Sequence, residues 1–456
     1  MTMHPEKWSG RIGFILATVG SAVGIGSIWK FPYEVGAHGG SAFVLFYAAG
    51  LVLVVVPLML AEFAIGRRGR ADASRSIAVI AQAGGANRRW ALAGAMGVLT
   101  GFVILSFYAV IGGWTIGYAV DTALYGLPGA DASAVRARYD AFLASPWRML
   151  AWHAVFMATT ALVVARGVAK GIETASMLLM PLLVALMLAL AIWSALQGDL
   201  AATLHFLLTL DTRHLNARTA LDALGLGFFS IGTGLGLMIT YAAYSGADID
   251  LKQVVVASVI ADTLISLLAG LAVFPIVFAH GLDPASGPGL VFVTLPLAFA
   301  RMPWGTLAAG AFYVLVFVAA LASSISLLEL VAAWLMRRFG WRRAVAAWTA
   351  ATGCFIAGIA TVLSFNRWAD WHPLANLGVA SSATVFELLD QLSSSFMLPL
   401  GGLAIALFAG WAVPQRMLAE ELRLGPAAAA ALGAALRYVV PVGIVLATLW
   451  SLLSRG

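Results

Sequence analysis

Long apolar runs separated by short polar linkers repeat from one end of the sequence to the other. Eleven are long enough to cross a bilayer as a helix of about 20 residues: 10–38, 41–66, 90–123, 147–165, 171–196, 219–245, 252–281, 304–336, 343–365, 381–412 and 431–453. Two of them are interrupted. The first contains GSAVGIGSIWKFPY (20–33), with three glycines, two serines, a lysine and a proline in fourteen residues. The sixth contains SIGTGLG (230–236). Glycine-broken runs at matching positions mark the two halves of an inverted repeat. The pattern therefore predicts an all-α polytopic membrane protein. Its first half is 1–200, its second half is 201–415, and an eleventh helix lies in 416–456.

An unwound helix in hydrocarbon leaves backbone groups unpaired, at several kcal/mol each. Such a break is tolerable where it lines a polar cavity inside the protein. Freed carbonyls can then bind cations, and freed amides at the start of a half-helix can bind a carboxylate. The competing reading of a single break is a packing kink, and two at matching positions favour the binding site.

Composition agrees with the pattern: 61% of the 456 residues are hydrophobic and only 11% charged, against about a quarter charged in soluble domains. Mean hydropathy is +0.93. The net charge of +6 does not point to nucleic acid, because the basic residues gather in linkers. Arg67, Arg68, Arg70, Arg75, Arg88 and Arg89, and then Arg337, Arg338, Arg342 and Arg343, fall on one side of the eleven-span topology. The positive-inside rule makes that side cytoplasmic, with the N-terminus inside and the C-terminus outside a bacterial inner membrane. Arg136, Arg138, Arg213 and Arg218 oppose the bias without reversing it. Cys354 is the only cysteine, which excludes an internal disulfide. The seven histidines show no metal-binding spacing, and no catalytic constellation appears, so an enzyme is not expected.

Trp8, Arg11, GSAVGIGSIWKFPY, HGGSAF, PLMLAEFAIGRRGR, RGVAKGIE (166–173), FFSIGTGLGLMITYAAY (228–244) and ALASSISLLE (320–329) together resemble the neurotransmitter:sodium symporter family, above all its bacterial amino-acid transporters. The resemblance runs the length of the chain. It implies a substrate held at the two breaks. Amides near Ile25 and Gly26 would bind its carboxylate, helped by the Tyr108 hydroxyl, and carbonyls near Ala22, Phe229 and Ser230 would bind its ammonium. Gly24 stands where monoamine carriers have an aspartate, which implies a carboxylated substrate. Ile104, Phe229, Gly232, Leu235, Ser323 and Leu327 would shape an apolar pocket for a neutral, apolar or aromatic side chain.

The same resemblance implies a first Na⁺ site at Ala22, Ser27, Ser230 and Asp262. A second would use the carbonyls of Gly20, Val23 and Ala319 and the hydroxyl of Ser323. There Ala322 replaces a threonine ligand, so the second site should be weakened. Chloride is not expected: Tyr47, Ser230 and Ser266 match the chloride-dependent pattern, but Leu226 replaces its glutamine and Asp262 already supplies negative charge. Lys30 and Asp390 would form the outer gate, or would be two charges snorkelling to the membrane surface. At the inner gate Pro5 and Arg337 stand where relatives carry an arginine and an aspartate, and no pair is assigned. The expectation is a sodium-coupled amino-acid symporter working by alternating access. The alternatives are proton coupling through Asp262, and a sensor that binds an amino acid without moving it.

Overall fold

The computed structural model of the chain describes residues 6–129, 131–281, 290–375 and 382–453; Pro5 lies outside them. Among the described residues there are helices and no strands. Nine helices are each long and apolar enough to cross a membrane: Ser41–Gly69 (span 2), Arg88–Tyr125 (span 3), Pro146–Ala165 (span 4), Val168–Gln197 (span 5), Leu251–Ala279 (span 7), Gly305–Phe339 (span 8), Arg343–Ser364 (span 9), Val385–Ala412 (span 10) and Pro426–Leu453 (span 11). Span 1 is a pair, Arg11–Ala22 and Gly26–Ala37, bent by 56°. Span 6 is another, Ala217–Ile231 and Leu237–Ala243, with neither half long enough to cross alone. Every apolar run of the sequence thus falls on a helix or a broken pair, with ends displaced by a few residues.

The breaks have local causes. Arg11–Ala22 stops because Val23 turns extended, at φ −82° and ψ 96°. In span 6, Gly232, Gly234 and Gly236 take φ of +68°, +94° and +72°, a region open to glycine at little cost. Neighbouring glycines let other backbones close on this break. A Cβ at Gly66 of span 2 would lie 2.0 Å from the Ile239 carbonyl oxygen, and one at Gly97 of span 3 would lie 2.1 Å from that of Leu235.

Span 8 sits at the centre, with 89% of its most apolar stretch buried, against 33% for spans 5 and 11 on the periphery. Spans 3, 4, 8 and 9 pack against one another. Span 2 packs on both halves of span 6 and on span 7, and span 1 packs on span 7. The molecule thus has two groups of helices, in contact between spans 1 and 8 and bridged by span 5, which packs on spans 1, 7 and 8. Linkers also hold helices that the apolar pattern does not reveal, among them Ala73–Ala83, Ala132–Leu143 and Leu200–Leu208. Each of these three is capped by an aspartate (Asp72, Asp131 and Asp199) accepting from backbone amides of the first turn.

Candidate functional site

We call the face that carries residue 6 and the arginine-rich linkers the near face, and the opposite one the far face. Between them, the breaks of spans 1 and 6 confront spans 3 and 8 across a cavity of about 60 Å³. All twelve residues assigned to the substrate from sequence line it: Ala22, Gly24, Ile25, Gly26, Ile104, Tyr108, Phe229, Ser230, Gly232, Leu235, Ser323 and Leu327. Ser21, Leu237 and Leu398 complete the wall, and no lining residue is charged. The Ile25 amide donates to the Tyr108 hydroxyl at 3.2 Å. The two groups are thus paired with each other beside the start of Gly26–Ala37, where the helix dipole favours negative charge. A Cβ at Gly24 would lie 2.7 Å from Ser323 Oγ and 3.0 Å from the Tyr108 hydroxyl, so no side chain fits there without displacing both.

One end of the cavity adjoins a cluster of oxygens from four spans. Asp262 is fully buried. Its Oδ1 accepts from Ser27 at 2.9 Å and Ser230 at 3.1 Å, and the two hydroxyls lie 3.0 Å apart. Its Oδ2 accepts from the Tyr47 hydroxyl at 2.7 Å. Sequence order gives no hint of this last contact, which joins residues 215 apart.

A second group of oxygens lies between spans 1 and 8. Ser323 Oγ stands 3.4 Å from the Gly20 oxygen, 3.5 Å from that of Ser21 and 3.4 Å from that of Val23. These are long for hydroxyl hydrogen bonds, which favour about 2.7–2.8 Å. Oxygens gathered but not closely hydrogen-bonded in this way are the ligand type that hard cations take. Ala319 is buried one turn before Ser323. Beside this group the Ala322 methyl and the Met180 thioether face Gly20, so a Cβ there would meet them at 3.4 Å and 3.2 Å.

A profile of the Sodium:neurotransmitter symporter family matches residues 5–139 and 144–422. The chain belongs to that family. This family member is a multi-pass membrane transporter, not an enzyme. It is similar to MhsT, whose crystal structure holds L-phenylalanine: TM-score 0.89, 39% identity, covering 98% of this chain and 100% of that one. It is 36% identical over 446 residues to the uncharacterized sodium-dependent transporter YhdH of Bacillus subtilis (strain 168), covering 97% of this chain and 96% of that protein. An uncharacterized sodium-dependent transporter of Haemophilus influenzae is 29% identical over 414 residues, with 89% of each covered. The fold is the family's five-plus-five inverted repeat with broken first and sixth helices.

At the far end of this symporter's pathway, Lys30 Nζ lies over the Phe229 ring, 5.0 Å from its centre. Lys30 and Asp390 form no ion pair within 4.0 Å among the described residues. Instead Lys30 lines an outer cavity of about 110 Å³ with Glu34 and Asp222. At the near end, Trp8 is buried; its indole N–H donates to the Tyr241 carbonyl at 2.9 Å and its amide to that of Tyr244 at 3.2 Å. Sequence reasoning missed Glu62 of span 2, fully buried, whose Oε1 accepts from the Gly234 amide at 2.6 Å. The signal was present, as the one acid in the second apolar run, and an acid within a span is functional by default.

Proposed function

We propose that the chain imports a neutral, apolar or aromatic α-amino acid, driven mainly by one Na⁺ bound among Ala22, Ser27, Ser230 and Asp262. The observation that carries this reading is the convergence of both helix breaks on an uncharged cavity whose wall holds the Ile25 amide and the Tyr108 hydroxyl side by side. The carboxylate would take these two groups as donors. A charged side chain in the apolar remainder would be costly, and the L-phenylalanine held by MhsT supports the same class.

The Asp262 cluster supplies hard oxygens and a full negative charge beside the carboxylate position, a setting for Na⁺. Tyr47 already donates to Asp262, so it has no free hydroxyl for chloride, and the cycle runs without that ion. The second group, Gly20, Val23, Ala319 and Ser323, offers a weaker cation site, since Ala322 carries no oxygen. Lys30 and Asp390 would meet only when the far face closes. Spans 1 and 6 with their neighbours 2 and 7 would rock against the scaffold of spans 3, 4, 8 and 9 about the midplane site, with the arginine-rich near face in the cytoplasm of a bacterial inner membrane.

Uptake of labelled amino acids into proteoliposomes, with and without an inward Na⁺ gradient, tests this. Neutral α-amino acids should accumulate only with the gradient, and decarboxylated amines such as tryptamine should neither accumulate nor compete. Na⁺-independent uptake driven by a pH gradient would replace the reading with proton coupling through Asp262. Binding without uptake would replace it with a sensor.

A further inference from the structure

The near face holds an ion cluster that none of the assignments above uses. Glu329 of span 8 is fully buried. Its carboxylate takes Arg343, the first residue of span 9, at both terminal nitrogens, and accepts from the Tyr244 hydroxyl at 2.6 Å. The other edge of the same guanidinium makes a two-point contact with Glu6: Nε donates to Oε1 at 2.7 Å and Nη2 to Oε2. Arg343 is 11% exposed and Glu6 36%.

We propose that Glu6, closing on the Arg343–Glu329 pair, is the near-face latch of this transporter. The proposal rests on the transport reading above. The usual latch positions, Pro5 and Arg337, cannot make an arginine–aspartate pair. Here the polarity is reversed, and the arm before span 1 contributes the acid.

Three features favour a latch over a fixed strut. A cation at a helix N-terminus is opposed by the helix dipole, so Arg343 needs anions, and it has two. If Glu6 leaves, Glu329 still neutralises Arg343, and Glu6 passes into water. Opening thus strands no buried charge, the event that makes breaking an ordinary buried pair so costly. The contacts also cross the boundary between the two groups of helices. Glu6 ties the arm of span 1, and Tyr244 ties the end of span 6, to one ion pair supplied by spans 8 and 9. Between these ties, Trp8 bonds the arm to span 6, and Ser9 bonds it to Glu173 of span 5, its amide to Oε2 at 2.8 Å.

The test is a distance measurement on the full chain in liposomes. Nitroxide labels are placed at Lys7 and Arg338, both exposed, in a Cys354→Ala background that removes the native thiol. Double electron–electron resonance then reads the fraction of molecules with the arm released. Glu6→Gln should raise that fraction about fivefold, the scale of a partly exposed ion pair, and Glu6→Asp should restore most of the closed population. In an Arg343→Gln, Glu329→Gln background, Glu6→Gln should add nothing. If that background does not fold, Glu6→Lys replaces it and should release the arm at least as far as Gln. An unchanged distribution in Glu6→Gln overturns the latch, as does an equal shift without Arg343 or a lysine that keeps the arm closed. Because the distances are read without transport, failed uptake in the wild type would sink the symporter reading alone.

Discussion

Tyr108 and Ala322 each reduce the proposed mechanism to a single group. Tyr108→Phe leaves the Ile25 amide without its partner and the substrate carboxylate short of a donor. The expected loss of binding is about 1–3 kcal/mol by calorimetry, the usual penalty for a charged group missing a buried hydrogen bond. Ala322→Thr restores a hydroxyl near the Ser323 oxygens. If a missing ligand costs about 1–3 kcal/mol, then at tenfold per 1.4 kcal/mol the variant should bind a second Na⁺ about ten- to a hundredfold more tightly. Sodium titrations of substrate binding would show this as a higher apparent affinity or steeper cooperativity. The residue scale also shows where sequence reading stops. Ser27, Ser230 and Asp262 were nameable through resemblance to known carriers. The Glu62–Gly234 contact was not, because no motif pairs the two residues, and Tyr47 was placed near Asp262 only through the chloride pattern, not as its hydrogen-bond donor. Only the fold says that they touch.

The elements were the most legible part, since crossing a bilayer demands apolar runs of a minimum length and little else in this chain has that pattern. The linker helices escaped because they are short and need not be apolar throughout; for the three named, the signal is an aspartate cap. Two predictions belong here. Gly66→Ala would drive a methyl into the Ile239 carbonyl oxygen, 2.0 Å away. The backbone cannot swing aside as a side chain could, so the variant should lose about 1–3 kcal/mol, seen as a lower melting temperature in detergent. His38, just past the end of span 1, bonds Asp222 of span 6 at 3.1 Å and Glu34 at 3.3 Å. Its pKa is raised, chiefly by the bond to Asp222, with burial opposing. The imidazolium therefore stabilises the folded state fully below the ordinary histidine range, and this is lost as pH rises through the higher folded value. Wild type should melt above His38→Gln at pH 6, and the gap should close on the alkaline side of neutrality.

At the scale of the whole molecule, the proposed pair of one strong and one weak cation site would give uptake that rises with Na⁺ at a Hill coefficient near one. Gluconate substituted for chloride at constant Na⁺ should leave uptake unchanged. Two cooperative sodium ions, or a collapse without chloride, would contradict these expectations in initial-rate assays. The inverted repeat was legible as paired glycine breaks, whereas the unequal support of those breaks was not legible at all. The break in span 6 is gripped by Glu62 and by close-packed glycines of spans 2 and 3. That in span 1 is held by one tyrosine hydroxyl, by long contacts to Ser323 and, just past it, by Ser27 on Asp262. In mechanical terms the sixth helix carries a clamped pivot and the first a compliant joint. Under the proposed cycle, cargo seated between them would act as the missing shim, stiffening the soft joint for as long as it stays, so that force would pass along the first helix only when the carrier is loaded.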